Sequence, residues 1–321
     1  MTRPRQIILD CDPGHDDAIA IMLAVADPGI DLVAVTTVAG NVTLENTTRN
    51  ALRVLDMVDR ADIPVAAGRD GPRVRELSTA AVMHGDSGLA GPLPVEPSRP
   101  ALDVPAIDLI EQLLIDATEP VTLVATGPLT NMADVVERLP HLRDRIRELV
   151  IMGGAVDLGN WTPAAEFNIW VDPHAADVVF GAASVPGTGD RDRIGLTMIG
   201  LEVTHEAWLS DEHADTLRGT NRAGQFVAEL LDHFVGFHQE RFGWEGAPIH
   251  DAVTIAHLID PTLVTTVAAN VQIETESPLC IGRTVVDRWA VTDREPNALV
   301  GLHIARNRFV TMLLEHLSTL P

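Results

Sequence analysis

The sequence predicts one α/β domain with a doubly wound, mostly parallel central sheet, flanked by helices and extended by extra strands late in the chain. Short apolar runs alternate with longer segments of helical periodicity, which is typical of this class. The 321 residues are enough for one large domain with a substantial core. Hydrophobic residues make up 46% of the chain, as in folded proteins.

The first 152 residues show the alternation most clearly. In the first helix, for example, Ile19, Leu23 and Ala26 recur at helical spacing. Strands are predicted at 6–9, 32–38, 65–67, 121–125 and 149–152. Helices are predicted at 16–26, 45–59, 108–116 and 130–138. Strictly alternating strands and helices favour parallel strands joined by crossover helices.

The second half continues this pattern and then changes it. Helices are predicted at 173–180, 222–242, 250–258 and 307–317, and strands at 197–199, 263–273 and 284–291. Segments 69–100 and 181–193 are rich in turn-forming residues, and we predict mobile loops there within a single domain spanning 1–321. Ligands of such sheets bind beyond the carboxyl ends of the strands.

The charge of the chain limits its partners. Forty-six acidic residues face 23 basic ones, so the net charge is −23. This charge disfavours nucleic acid and anionic membranes as partners and suits a neutral small molecule or a cation. All 23 basic residues are Arg, which excludes chemistry that depends on a lysine Schiff base or a phosphate-binding P-loop lysine.

Cysteine content and the amino-terminal segment suggest a location. Cys11 and Cys280 are the two cysteines, too few for a disulfide framework. The first apolar run, at 7–9, is too short for a signal peptide or a membrane span. We therefore predict a cytoplasmic protein.

An acidic loop follows the first predicted strand. Asp10, Asp12, Asp16 and Asp17 lie within eight residues, and carboxylates this close repel one another when buried. Helix capping accounts for Asp16 or Asp17 alone but not for the whole set. The loop therefore predicts a bound hard cation, calcium or magnesium, because all its ligands would be oxygen atoms.

His15 and Cys11 also lie in this acidic loop. We expect His15 to be a spacer whose positive charge reduces the repulsion between the carboxylates, and Cys11 to pack as a small apolar residue. One rival class, the haloacid-dehalogenase-like phosphatases, also places two aspartates after a first strand. Those enzymes usually continue with Thr and need a lysine, whereas Pro13 follows here and lysine is absent.

Seven segments in order resemble the inosine-uridine preferring nucleoside hydrolases. They are DCDPGHDDAIAIMLA at 10–24, TTVAGN at 36–41, HGDSGL at 84–89, ATGPLTNMA at 125–133, VIMGGA at 150–155, GNWTPAAEFNIWVDPHAA at 159–176 and PIHDAV at 248–253. The resemblance spans residues 7 to about 260. It implies a nucleoside-hydrolase-like fold and hydrolysis of the N-glycosidic bond of ribonucleosides such as inosine or uridine.

The resemblance also implies residue roles. Asp12, Asp17 and Asp251, with the backbone carbonyl of Thr126, would bind Ca²⁺. Ribose hydroxyls would bind to Asp16, Asn41, Asn160, Glu166 and Asn168, beside a pocket wall at Met152. Asp12 would accept the proton of a metal-activated water, and His250 would protonate the leaving base, with His84 nearby. Direct attack by water predicts inversion at the anomeric carbon.

Residue chemistry supports some of these roles. Asn and Glu side chains can each bind two hydroxyls, and we expect Glu166 and Asn168 to point the same way along an extended segment. A near-neutral pKa would suit His250 for protonating a base. The neighbouring residue Asp251 is one of the aspartates predicted to bind the metal, and this favours a catalytic over a structural role for His250.

The nucleobase side of the site is less well defined. Relatives often place tyrosines there, but this chain has none. In the long predicted helix, Phe234 and His238 lie one turn apart, so Phe234 can stack on the base, and His238 can hydrogen-bond to it or protonate it in place of His250. Core packing for Phe234 and a solvated surface position for His238 are equally open, and Trp161 is a further candidate. Purine and pyrimidine substrates both fit.

Three alternatives to the main interpretation follow. The chain could hydrolyse a modified N-riboside, or it could bind nucleoside or ribose with calcium without catalysis, or it could be a phosphatase. By resemblance we expect a homo-oligomer, a dimer or a tetramer, with a role in purine or pyrimidine salvage.

Overall fold

The computed structural model describes residues 3–92, 95–190 and 192–321. Its strands are β1 (Arg5–Cys11), β2 (Ile30–Thr37), β3 (Val65–Ala67), β4 (Val121–Ala125), β5 (Ile146–Met152), β6 (Ala183–Ser184), β7 (Ile194–Ile199), β8 (Trp208–Leu209), β9 (Ala247–Pro248), β10 (Val264–Ile273), β11 (Thr284–Asp287) and β12 (Ala298–Ile304).

The helices surround these strands. They are α1 (His15–Ala26), α2 (Leu44–Met57), α3 (Ala81–His84), α4 (Ala106–Asp116), α5 (Thr130–Arg138), α6 (Phe167–Val171), α7 (Pro173–Gly181), α8 (Leu201–Thr204), α9 (Asp211–Leu217), α10 (Arg222–Phe242), α11 (Ala252–Ile259) and α12 (Arg306–Leu317). Short 3₁₀ turns lie at Pro140–Arg145 and Pro261–Leu263. No helix within the described ranges is long and apolar enough to cross a membrane.

The central sheet has the strand order β11-β10-β12-β7-β5-β4-β1-β2-β3, and β6 also pairs with β7. From β12 to β3 every pairing is parallel, whereas β10 pairs antiparallel with both β12 and β11. The predicted mostly parallel sheet with extra late strands is therefore confirmed.

Two cores sandwich this sheet, because successive strand residues point to opposite faces. On β1, Ile7 and Leu9 join one core, together with Phe309 of α12. Ile8 points the other way and joins the second core, which includes Phe180 of α7. Buried apolar side chains on both faces are typical of a doubly wound sheet.

The structure differs from the sequence prediction in several elements. Strand β12 was not predicted, because Gly301 and His303 interrupt its apolar pattern, yet it pairs between β10 and β7. The expectation that Glu166 and Asn168 share an extended segment is wrong. Glu166 caps the amino terminus of α6 by accepting backbone N–H bonds, and Asn168 lies inside this short helix.

The two segments predicted as mobile loops contain some regular structure. Helix α3 lies within 69–100, and β6 lies within 181–193. Positions 93, 94 and 191 of these segments lie outside the described residues. The mobility of both segments stays a prediction.

The carboxyl edge of the parallel strands gathers the polar segments. Asp12 directly follows β1, Asn41 follows β2, Thr126 follows β4 and Met152 ends β5. Asp251, the residue that precedes α11 as its N-cap, comes from a distant part of the chain, and α1 contacts α11. This edge is where doubly wound sheets bind ligands.

Candidate active site

A cavity of about 230 Å³ opens at the carboxyl edge of the sheet. The residues predicted to bind substrate all line it: Asp16, Asn41, His84, Met152, Asn160, Glu166, Asn168, Phe234 and His238. Three other predicted site residues line it as well, namely Thr126, His250 and Asp251. The fold therefore brings together side chains from distant stretches of sequence.

Three aspartates form a compact cluster, and two of them, Asp16 and Asp251, line this cavity. Asp16, Asp17 and Asp251 each offer a carboxylate oxygen, and these three oxygens lie within 4.8 Å of one another. Asp17 is held on both sides, since its Oδ2 accepts the Gly14 N–H at 3.0 Å and its Oδ1 accepts the Thr126 hydroxyl at 2.7 Å. The cluster thus has a defined geometry before any ligand enters.

Asp12 lies beside the cluster, fully buried. Its Oδ2 accepts the backbone N–H of Asn41 at 2.6 Å, while its Oδ1 is buried without a hydrogen-bond partner in the described parts of the chain. Close glycines shape its surroundings, because a Cβ on Gly40 would lie 2.1 Å from Oδ2 and one on Gly127 would lie 2.7 Å from Oδ1. A buried carboxylate oxygen without a donor fits a cation as its missing partner.

Burial makes this group of carboxylates hard to ionise. Burial first, and neighbouring carboxylates second, raise the pKa of Asp16 to about 7 and the pKa values of Asp12 and Asp251 well above their usual range. Burial likewise raises the pKa of Asp10 to about 7, although hydrogen bonds from Thr36 and Asn131 oppose it. A divalent cation would neutralise this charge, so the residues fit a metal ion with oxygen ligands.

The metal-free protein is expected to lose stability as the pH rises through about 7. The pKa of Asp16 is raised from 3.8 to about 7 in the folded state, so the folded protein holds this proton more tightly than the unfolded chain. The resulting contribution to stability is complete below pH 3.8 and is lost as the pH rises through about 7 and the folded carboxyl ionises. Melting temperatures measured in a chelator between pH 5 and 8 should therefore fall. Asp16→Asn should reduce this slope without removing it, because Asp10 and Glu166 also have pKa values raised to about 7, and an unchanged slope in that variant would contradict the assignment.

The predicted ribose-binding side chains are held by the backbone around them. Asn168 donates from Nδ2 to the Thr126 carbonyl at 2.8 Å and to the Met152 carbonyl at 3.2 Å. Glu166 accepts backbone N–H groups of Asn168, Ile169 and Gly154, and burial raises its pKa to about 7. These bonds fix both side chains in place.

Asn160 lies at the exposed edge of the same segment. Its Oδ1 accepts the Phe167 N–H at 3.0 Å. This bond leaves its amide nitrogen available to a ligand. Trp161, the other candidate in this segment, packs its ring edge against Phe167 and also lines the cavity.

The other wall of the cavity is aromatic and rich in histidine. Phe234 is 1% exposed, and one face of its ring stacks on His15 at 5.0 Å. Contact between Phe234 and a nucleobase stays a prediction. His238 is buried, not solvated, and its Nδ1 donates to the Phe234 carbonyl at 2.8 Å. Nδ1 of His250 bonds to the Thr204 hydroxyl at 2.7 Å.

Two expectations about histidine charge differ from the structure. Burial lowers the pKa of His15 to about 4, which disagrees with the positive charge expected for it at neutral pH. The His15 ring contacts His84 and the Ala90 carbonyl, and it does not bind a carboxylate within the described residues. Burial also lowers the pKa of His250 well below its usual range, in place of the expected near-neutral value. The burial of His15 and of His250 could not be predicted from the residues next to them in the sequence.

Sequence reasoning missed three aromatic residues at the cavity mouth. His205, Phe242 and Trp244 all line the cavity, and the Trp244 ring stacks on His238 at 5.6 Å. Trp244 follows the left-handed Gly243 that ends α10, and it is 39% exposed. An exposed Trp beside a helix-ending glycine was the available signal, because large exposed aromatics often mark binding surfaces.

Comparisons with known proteins assign the same class as the fold and the acidic cavity, that of the nucleoside hydrolases. The chain belongs to the inosine-uridine preferring nucleoside hydrolase family, whose model matches residues 7–311. It is 48% identical over 320 residues to a protein of Photobacterium profundum named pyrimidine-specific ribonucleoside hydrolase RihA, with 99% of each chain covered.

Solved structures give the same class. A plant nucleoside hydrolase, PpNRh1, superposes with a TM-score of 0.89 at 31% identity, covering 98% of this chain and 99% of that one. The purine-preferring ribonucleoside hydrolase from Gardnerella vaginalis also superposes with a TM-score of 0.89 at 31% identity, covering 98% of both chains. The predicted family is confirmed: the protein is an enzyme with ribonucleoside hydrolase activity, so the phosphatase and non-catalytic alternatives lose their support.

Proposed function

We propose that this enzyme hydrolyses pyrimidine ribonucleosides, uridine and cytidine, to ribose and free base with Ca²⁺ as its metal. The observation that carries the chemistry is the buried aspartate cluster beside the unpartnered Oδ1 of Asp12. The pyrimidine preference is supported by relatives 48% identical that are named pyrimidine-specific, whereas the solved structure named purine-preferring is 31% identical.

The proposed metal ligands are Asp12, Asp17, Asp251 and the carbonyl of Thr126. Calcium suits this set because it accepts six to eight oxygen ligands in flexible geometry, which leaves positions for ribose hydroxyls and a water. When bound, the ion would lower the pKa of that water and orient the sugar. The Thr126 carbonyl already accepts one bond from Asn168 and has a second lone pair for the metal.

Asp12 is the proposed general base. The Asn41 N–H holds its Oδ2, and the backbones at Gly40 and Gly127 close around the carboxylate, so Oδ1 has one preferred direction. A carboxylate fixed in this way can accept a proton from the attacking water without reorganising. Because the water attacks directly and no covalent nucleophile is required, the product should have inverted configuration at the anomeric carbon.

Ribose is proposed to bind Asp16, Asn41, Asn160, Glu166 and Asn168. Glu166 and Asn168 are fixed by bonds to the backbone, and buried hydrogen-bonding groups discriminate strongly against a substrate that lacks the matching hydroxyl. The sugar is thus recognised by groups that are in place before it arrives. Met152 also lines this cavity and is proposed to contact the sugar.

The base is proposed to lie between the histidine-rich wall and the aromatic residues of the cavity mouth. The Thr204 hydroxyl can donate to Nδ1 of His250, which leaves the ring hydrogen on Nε2, from which a neutral His250 can donate a hydrogen bond to the departing base. His238, Phe234 and Trp244 form the surrounding surface. The flat faces of these rings suit a planar base.

A panel of nucleosides assayed for reducing sugar with added calcium tests this proposal. The kcat/KM values for uridine and cytidine should exceed that for inosine by about tenfold or more, equivalent to about 1.4 kcal/mol of transition-state binding. Deoxyuridine should react poorly because it lacks the 2′-hydroxyl that the ribose-binding side chains would bind. Fastest turnover of inosine would overturn the pyrimidine preference, and slow turnover of all standard nucleosides would favour a modified N-riboside.

Other sequence predictions stay predictions. They are the cytoplasmic location, the dimeric or tetrameric assembly and the role in nucleobase salvage. Each has a direct measurement, namely cell fractionation, the solution mass, and growth on a pyrimidine nucleoside as the source of base.

A further inference from the structure

Trp244 lies between the substrate cavity and a second cavity. The second cavity has a volume of about 360 Å³ and is lined by Trp244 and His205 together with Trp208, Gly243, Glu245 and Gly246. Trp244 and His205 also line the substrate cavity of about 230 Å³. These two side chains therefore form a partition between the two spaces.

Contacts with other rings hold the Trp244 side chain in this partition. Its ring stacks on His238 with the centroids 5.6 Å apart, and it lies 5.1 Å from the ring of Phe242. The ring of His205 meets it edge to face at 5.3 Å. Because one face of the indole covers His238, the ring bounds the substrate cavity and does not offer both faces to a ligand.

The backbone on either side of Trp244 fixes where this ring stands. Gly243 ends α10 in the left-handed region, with a φ of +69°, and there the chain leaves the helix. Gly246 packs so closely on β8 that a Cβ there would collide with the carbonyl oxygen of Leu209. Ala247 of β9 then pairs with Leu209. Trp244 is thus placed between two anchored points of the backbone before any substrate binds.

Trp244 belongs to the wall that is proposed to surround the base. His205, which contacts Trp244, also meets the ring of His250 at 5.7 Å. His250 is the proposed hydrogen-bond donor to the departing base, whereas the segment 160–168 is proposed to bind the ribose. Trp244 therefore limits the space for the base and leaves the space for the sugar unchanged.

Purine and pyrimidine bases differ in how much of this space they need. A pyrimidine is a single six-membered ring, whereas a purine carries its six-membered ring fused to the five-membered ring that is bonded to the sugar. A purine therefore extends further from the anomeric carbon. A cavity that ends at a fixed side chain on the base side discriminates against the longer base.

We propose that Trp244 is a specificity-determining residue that closes the base end of the substrate cavity and so favours a pyrimidine over a purine. The second cavity is the space that the far ring of a purine would enter if this side chain were small. The inference rests on the proposed function, because it takes the cavity as the substrate site and the histidine-rich wall as its base side.

Trp244→Ala tests this role in the calcium-loaded, full-length enzyme. The change joins the two cavities, so kcat/KM for inosine should increase, and its ratio to kcat/KM for uridine should rise about tenfold or more. An unchanged ratio would overturn the proposal. A loss of activity on uridine without a gain on inosine would overturn it as well, because the ring would then act by stacking on the base.

Trp244→Leu carries the same test with less disturbance of the fold. Leucine keeps an apolar side chain against His238 and Phe242 but removes less volume than alanine does. The ratio of inosine to uridine kcat/KM should lie between the values of the wild type and Trp244→Ala. A ratio at or below the wild-type value would overturn the proposal.

Trp289→Ala is the matched control. Trp289 lies between β11 and β12, is 81% exposed and lines neither cavity. Its loss should leave the ratio at the wild-type value, and a rise equal to that in Trp244→Ala would overturn the proposal. The wild-type ratio tests the pyrimidine preference, whereas the change in the ratio tests the partition, so the two failures give different results.

Discussion

Replacing Asp12 by Asn is expected to lower kcat by about 10²- to 10⁴-fold while the protein stays folded. The amide keeps the shape of the side chain and can still accept the Asn41 N–H, but it cannot take a proton from water. Stability should not fall in the metal-free protein, because the change removes one carboxylate from a buried, mutually repelling group. Steady-state kinetics with uridine and thermal melting measure both effects.

Asp134→Asn is the control for this substitution. Asp134 of α5 is also a mostly buried aspartate, but it binds the Arg69 guanidinium away from the cavity. Its loss should lower the melting temperature slightly and leave kcat near wild type. If Asp12→Asn retained most of the wild-type kcat, Asp12 would not be the base and the chemistry proposed for this site would be wrong.

Removal of calcium is expected to abolish turnover, and its return to restore it. A metal that binds only the folded protein also stabilises it, by about 2.7 kcal/mol when the free ion is at 100 times its dissociation constant. Calcium should therefore raise the melting temperature of the chelator-treated protein. This rise should grow with pH, because the ion binds ionised carboxylates and the pKa values of the cluster are raised.

Asp251→Ala should lose both the calcium-dependent activity and the calcium-dependent rise in melting temperature, because it removes one of three clustered oxygens. Asp134→Asn again serves as control and should keep both. Full activity after exhaustive chelation would exclude a metal requirement. Equal restoration by magnesium would instead mean that the site binds a hard cation without preferring calcium.

The elements with strong local patterns could be predicted from the sequence. The bounds of β3, β4, α5 and α10 agree with the prediction to the residue. Their apolar residues recur at the spacing of a strand or a helix, and capping residues or turns limit them. By contrast, β12 is held in the sheet by its neighbours β10 and β7, and its own sequence carries little strand signal.

Some features of the candidate site could likewise be predicted from the sequence, and others could not. Asp12, Asp16 and Asp17 are close in sequence, so their crowding was visible without a structure. The segment with Glu166 and Asn168 was assigned the wrong local conformation, because Glu166 caps a helix of only five residues. Such a helix is too short to show periodicity, and its carboxylate cap becomes evident only when the backbone N–H donors are located.

By itself, the sequence determined the fold class, the acidic loop after the first strand and the family. Each of these depends on residue order, spacing and composition, which are local properties of the chain. Only the tertiary structure decided that Asp251 joins Asp16 and Asp17, that His15 is buried against His84 with a lowered pKa, and that Trp244 borders the cavity. Proximity and burial arise from packing between distant segments, and burial sets the protonation of these groups.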